Sequence, residues 1–179
     1  MNLTKWWPQV VGGVAYDNSH LHPFDFVISL AAKGRYAARD VTVHVGFSSH
    51  TFTRAIDVES PQTWYTAGND PRVLCPERHA LSYTLPSIVR SLDGRHCFHA
   101  GRENYFVVEL PDLLPGGQEY WVFFDVRHTG KTNAVLLFVQ SAYATSGKFS
   151  PSGRRRKPVG FRLLLNAALQ NRRVEEPMP

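Results

Sequence analysis

The stretch RHCFHAGRENYFVVELPDLLPGGQEYWVFFDVRHTGKTNAVLLFVQSAYAT, residues 95–145, decides the fold. It holds four extended runs, Arg95–Ala100, Asn104–Leu110, Glu119–Thr129 and Asn133–Thr145, rich in the β-branched and aromatic residues that suit a pleated surface. Gly101-Arg102-Glu103, Pro111 to Gly117 and Gly130-Lys131-Thr132 join them. These joints suit hairpins and are too short for parallel crossovers, which need about a dozen residues or more. The expectation is an antiparallel four-stranded meander. Tyr120-Trp121-Val122-Phe123-Phe124 and Ala134 to Val139 are apolar on both parities, so both faces of that sheet must be covered.

Just upstream, Thr84 precedes Leu85, Ile88, Val89 and Leu92, with Gly94 following, which predicts a short capped helix over 84–92 that covers one face. The N-terminal half is left to cover the other. Within that half, Val41, Val43 and Val45 alternate with Thr42, His44 and Gly46 and predict a strand. Residues 54–75, with Pro61, Gly68 and Asn69-Asp70-Pro71, show no period and read as a long loop. Residues 1–25 read as an irregular arm. Downstream of Tyr143 the composition turns to Ser, Gly and Lys, which predicts a basic linker over 147–158. Phe161, Leu164, Leu165, Ala168 and Leu169 then form an amphipathic stripe, predicting a C-terminal helix within 159–173 that docks on the body or engages a partner. The fold class expected is α+β, one domain over 1–146 with its core in 76–145, a β-containing N-terminal extension and a C-terminal helix.

With 179 residues and 43% hydrophobic residues the chain suits one packed domain. Its net charge of +5 is unevenly placed. Residues 1–146 carry 12 Lys/Arg against 13 Asp/Glu, while residues 147–173 carry 8 Lys/Arg and no acid. Arg154-Arg155-Arg156-Lys157 is suited to neutralising phosphates of RNA or another nucleic acid, in a salt-dependent and sequence-blind manner; a solvated linker has the same composition. No apolar run reaches a membrane span and the N-terminus lacks a signal-peptide pattern, so a cytoplasmic protein or a delivered effector is expected, with no membrane partner. Cys75 and Cys97 are too few for a disulfide framework and are expected as thiols. Cys75, His79, Cys97 and His99 are zinc-ligand types, but Cys-x3-His with Cys-x-His matches no standard signature, and neither metal nor cofactor is assigned. His50-Thr51-Phe52-Thr53 imitates half of the His-x-Thr pair of two-histidine phosphoesterases; His128-Thr129-Gly130 does not supply the second half. The absence of GxxxxGK[ST], GxGxxG, GxSxG and HExxH argues against a P-loop nucleotidase, a dinucleotide oxidoreductase, a serine hydrolase and a zincin.

Polar residues at sheet ends supply the candidate site. Arg127, His128, Thr129 and Lys131 gather at one hairpin, where Arg offers a bidentate fork and His titrates near neutral pH. Ser141 and Tyr143 end the last strand, on the same face as Val135, Leu137 and Val139, where a hydroxyl pair can reach a ligand over the sheet edge. Arg78-His79 stands before the helix, with His79 presented to a cleft.

Arg78-His79, the helix Leu85-Pro86-Ser87-Ile88-Val89, the strands from His96 to Val126 and the terminal Gln140-Ser141-Ala142-Tyr143 together resemble the barnase/EndoU/colicin/RelE-like ribonuclease fold over about residues 76–145. The chain departs from that pattern in ending Ser-Ala-Tyr-Ala without a proline. The resemblance implies a metal-independent endoribonuclease of toxin or effector type, a hydrolase needing no cofactor. His79 and His128 would be its acid and base, Arg127 and Lys131 its electrostatic groups, Ser141 and Tyr143 its positioning pair, and Arg78 and the basic run its nucleic-acid contacts. A protein partner or inhibitor would then be expected. The alternative is a non-catalytic accessory protein, of the kind carried by mobile elements, that binds protein or nucleic acid.

Overall fold

The computed structural model describes residues 3–32, 34, 37–56, 65–67, 70–100, 105–110, 114, 118–145 and 157–174. The chain is α+β. The first strands are β1 (Gln9–Val11), β2 (Val14–Tyr16), β3 (Phe24–Leu30) and β4 (Arg39–Phe47). Next come β5 (Thr53–Ala55), β6 (Tyr65–Ala67) and β7 (Asp70–Leu74), then the helices α1 (Pro76–Ser82) and α2 (Leu85–Arg90). The strands β8 (His96–His99), β9 (Tyr105–Leu110), β10 (Glu119–His128), β11 (Ala134–Thr145) and β12 (Val159–Gly160) follow, and α3 (Phe161–Leu169) completes the order.

The main sheet has seven strands in the order β12-β8-β9-β10-β11-β4-β3, not four. β8, β9, β10 and β11 pair antiparallel in chain order, and β12 pairs antiparallel with β8. The extension comes from β3 and β4 of the N-terminal half, which join the sheet, while Trp6, Leu21 and Phe52 of the same half pack into its main core. β4 pairs parallel to β11, aligning Val43 with Val135, Val45 with Leu137 and Phe47 with Val139, and β3 pairs antiparallel to β4. The valine alternation from Val41 is therefore an internal strand whose apolar side joins the main core.

Further expectations need correction. The helix expected over 84–92 is α2, followed by a 3₁₀ turn at Leu92–Gly94, but Thr84 has helical backbone and makes no side-chain cap, and α1, started at Cys75 and Pro76, is an additional helix before it. Pro76 and Pro86 both sit in first turns, where a missing N–H costs nothing. The supposed loop over 54–75 contains three strands, with β7 paired between β5 and β6. The supposed irregular arm includes the β1–β2 hairpin, turned by Gly12 and Gly13 at positive φ. Most of the predicted linker, including Arg154, Arg155 and Arg156, lies outside the described residues; Lys157 is exposed and Val159 is already buried.

One face of the sheet carries the main core, where Val41, Val43, Val45, Phe106, Tyr120, Val122, Phe124 and Leu137 meet Leu85, Ile88, Val89, Phe161, Leu164 and Leu165. The C-terminal helix docks. Its polar side is held by Arg162, whose Nε and Nη2 donate to the Asp93 carboxylate at 2.7 Å each. The N-terminal segment is anchored by Trp6, whose Nε1 donates to the Phe47 carbonyl at 3.0 Å. Among the described residues no helix is long and apolar enough to cross a membrane.

Because Leu165 is fully buried and Leu163 is 51% exposed on the same helix, the two separate core from surface. Urea unfolding should show Leu165→Ala destabilised by about 2–5 kcal/mol and Leu163→Ala within about 0.5 kcal/mol of the parent. Equal, small losses for both would mean that α3 is not part of the core.

Candidate functional site

The register of β10 and β11 decides which polar residues meet. Phe124 pairs with Val139, but Phe123 pairs with Ser141, so Gln140 is the extra residue of a β-bulge. One extra residue exchanges the faces of everything after it. Ser141 and Tyr143 therefore lie opposite to Val135, Leu137 and Val139, contrary to the unbroken alternation, and Ala142 takes the core side. Tyr143 packs with Trp121, Phe123, Val107 and Phe98 in a second apolar cluster, stacking on Phe123 with ring centroids 5.5 Å apart.

The sequence-predicted residues divide into separate places. Arg78 and Tyr143 meet: the Arg78 guanidinium carbon lies 5.2 Å from the Tyr143 ring centroid. Arg127, His128 and Lys131 are at the other end of β10, about seven residues from Tyr143's partner Trp121, or roughly 23 Å at 3.3 Å per residue. Arg127 is committed to Asp125, with Nε and Nη2 donating at 2.7 and 2.8 Å. His79 is buried rather than facing a cleft, and its Nε2–H donates to the Asp17 carbonyl at 2.9 Å. It packs edge-on against Tyr16 and Tyr83, so its place is structural. Ser141 is half-buried and pairs with Phe123 across the sheet.

Around Arg78 the structure gathers residues that the sequence reading passed over. The short 3₁₀ turn Ser49–Thr51 follows β4, and β5 and β7 bring Thr53, Asp70 and Arg72 beside it. Arg78 Nη1 donates to the carbonyls of Thr53 at 2.9 Å and His50 at 3.3 Å. Arg72, buried, donates from Nε to Thr53 Oγ1 at 2.6 Å and from Nη1 to Asp70 Oδ2 at 3.1 Å. His50 Nε2 lies 2.7 Å from Asp70 Oδ2. A carboxylate only accepts, so the Nε2 proton points to Asp70, and Nδ1, without a partner among the described residues, carries the lone pair of neutral His50.

The charges do not cancel. Asp70 is shared by Arg72 and His50, while Arg78 has no carboxylate partner among the described residues, and its Nε and Nη2 donors have no protein acceptor there. Burial pushes the half-buried Arg78 guanidinium below its ordinary range. Desolvation, and then the charge of Arg72, hold His50 below the usual imidazole value, although Asp70 pulls the other way. Desolvation raises Tyr143 while Arg78 opposes, so the phenol remains a hydrogen donor at neutral pH. The Tyr120 hydroxyl, buried and without a hydrogen-bond partner among the described residues, feels the same guanidinium charge.

The corner thus offers a hydrogen acceptor on His50, a donor on Tyr143 and uncompensated positive charge on Arg78. Its signals in the sequence were the His50-Thr51-Phe52-Thr53 fragment and the charged Asp70-Pro71-Arg72 run. Each is weak alone, and only the β5–β7 pairing joins them. Among the described residues no group of three or more His, Cys, Asp and Glu side chains is placed to hold a metal ion, and Cys75 and Cys97 are free thiols. Burial pushes the Cys97 thiol up to about 12.

A family model matches residues 8–169, that of the YjaZ family. No curated protein and no solved structure matches the chain significantly.

Because Asp70 raises the His50 pKa against desolvation and Arg72, Asp70→Asn should lower it further. An NMR titration of the His50 ring should give a midpoint below 6.5 in the parent and a lower one in Asp70→Asn. A midpoint that rises in the variant would remove the His50–Asp70 contact from the account.

Proposed function

We propose that this chain, which belongs to the YjaZ family, cleaves RNA by metal-independent acid–base chemistry at the corner formed by His50, Arg78 and Tyr143. The observation that carries the reading is Arg78, a half-buried guanidinium with two unused donors and no carboxylate partner among the described residues. Removing an ion from water costs several kcal/mol, and an uncompensated cation beside a titratable imidazole is an arrangement that a phosphate relieves. The resemblance of residues 76–145 to the barnase/EndoU/colicin/RelE-like ribonuclease fold supports the same reaction class.

In this reaction His50 Nδ1 accepts the proton of the 2′-hydroxyl, and the 2′-oxygen attacks the adjacent phosphorus. Arg78 Nε and Nη2 donate to the oxygens on which charge develops. The bond from phosphorus to the 5′-oxygen breaks, and the Tyr143 phenol gives that oxygen its proton. The products are a 2′,3′-cyclic phosphate and a 5′-hydroxyl, and His50 returns its proton to Tyr143 through solvent. Asp70 orients the imidazole, and Arg72 fixes Asp70. Lys157 and the basic run before it would raise the local RNA concentration without reading sequence. His79 and His128 leave the catalytic set.

Purified protein should cleave RNA in EDTA and leave 2′,3′-cyclic ends. His50→Ala and Arg78→Gln should each lower the rate by about a hundredfold or more, and Tyr143→Phe should lower it with the fold intact. His128→Ala should leave the rate unchanged. The rate should climb through a midpoint below 6.5 as His50 loses its proton. A folded parent that binds RNA without cutting it would transfer the corner to the non-catalytic, nucleic-acid-binding reading.

A further inference from the structure

We propose a second anion site, a phosphate-binding cleft at the opposite end of β10 from Tyr143. Leu3, Lys5, Pro23, Asp25, His44, Thr129 and Lys131 line a cavity of about 300 Å³ there. Three separate parts of the chain supply its charge: the N-terminal segment gives Lys5, the β3–β4 pair gives Asp25 and His44, and the β10–β11 turn gives Lys131.

The two ammonium groups make no ion pair among the described residues, and the carboxylate in the cleft is occupied. Asp25 Oδ1 lies 2.8 Å from His44 Nδ1 and accepts its proton, which leaves Nε2 as the second ring nitrogen. With His44 neutral the four ionisable side chains carry +1, and with His44 protonated +2. Thr129 is not a free donor, because its Oγ1 donates to the Ala134 carbonyl at 3.0 Å and accepts from the Lys131 N–H at 3.3 Å. Those two bonds shape the turn that holds Lys131 over the cleft.

The backbone that carries Lys5 is anchored as well. A Cβ on Gly46 would come within 2.9 Å of Leu3 Cδ2 and 3.0 Å of Phe138 Cδ2, so the bare backbone there is what lets Leu3 seat on the sheet. On the other side of Lys5, the buried Trp6 donates to the Phe47 carbonyl. Leu3 and Trp6 thus hold the backbone on either side of Lys5, so binding need not order that segment, only the lysine side chain. Two such cations across a cleft of this size match a doubly charged phosphate carrying a small group, or one phosphate of a nucleic-acid backbone. The proposal does not rest on catalysis at Arg78.

The test is a ¹⁵N–¹H NMR titration of the full chain with inorganic phosphate against chloride at matched ionic strength. Saturable shifts of Lys5, His44, Thr129 and Lys131 that follow one binding curve, separate from any shifts at His50, Arg78 and Tyr143, are expected. The double variant Lys5→Gln/Lys131→Gln should weaken binding by about tenfold or more, whereas Arg78→Gln should leave it unchanged. Both lysines are exposed, so an unchanged melting temperature will show that the variant is folded. Gly46→Ala, which displaces Leu3, should also weaken it. Equal shifts in chloride, or equal affinity in the double variant, overturn the proposal. A DNA oligomer that shifts the same residues and competes with phosphate assigns the site to a backbone phosphate; an oligomer that does not compete assigns it to a small phosphorylated ligand.

Discussion

The bulge at Gln140 is the constraint on which both the sheet and its corner depend. Before it, β11 sends Val135, Leu137 and Val139 into the main core; after it, the same strand sends Ala142 there and Tyr143 to the opposite face. The Gln140 side chain pins the irregularity by donating from Nε2 to Asp125 Oδ2 at 2.6 Å. Asp125 is itself buried and takes both donors of Arg127, so its charge is satisfied on either side. Without the extra residue, Tyr143 would enter the core and Ala142 would face Arg78.

The strand partner changes at the same place. β4 runs parallel to β11 as far as the Phe47–Val139 pair, and the Ser48 N–H then donates to the Val139 carbonyl at 2.9 Å. Beyond that bond β4 turns away into the 3₁₀ turn that carries His50. The last residues of β11 are thus released from a strand neighbour on that side, and the turn and α1 fill the place, with β5 packed against both of them. Arg78 enters from α1 and ties the arrangement together through two carbonyls. An edge vacated by a strand and filled by short, polar elements is where side chains of opposite chemistry can meet without being buried entirely.

Much of the fold was legible because it rests on local pattern. The β-branched and aromatic runs of 95–145 appear as β8 to β11, and the stripe Phe161, Leu164, Leu165, Ala168 appears as α3. What escaped is non-local. Pro71 argues against a central strand, yet β7 is the middle of three, because β5 and β6 supply pairing that no propensity encodes. The parallel partner of β11 lies about ninety residues upstream, a pairing that alternation can suggest but not assign. The site suffered most. Arg78 and Tyr143 were chosen by type and position and do meet, whereas His79, chosen for its place before the helix, and His128, chosen for its place at a hairpin, do not join them. The first proved to be a packed ring bound to the Asp17 carbonyl; the second lies at the far hairpin. A bulge leaves no mark in hydrophobic periodicity, so the face of Tyr143 was not readable from the alternation.

The account turns on whether the unpaired guanidinium of Arg78 receives a phosphate. The direct measurement is the side-chain Nε–H resonance of Arg78 during titration with a short RNA made uncleavable by one 2′-deoxy residue. The account predicts a saturable shift of that resonance, with Tyr143 ring signals moving at the same concentrations. An Arg78 resonance that stays in place while the oligonucleotide binds elsewhere would contradict it.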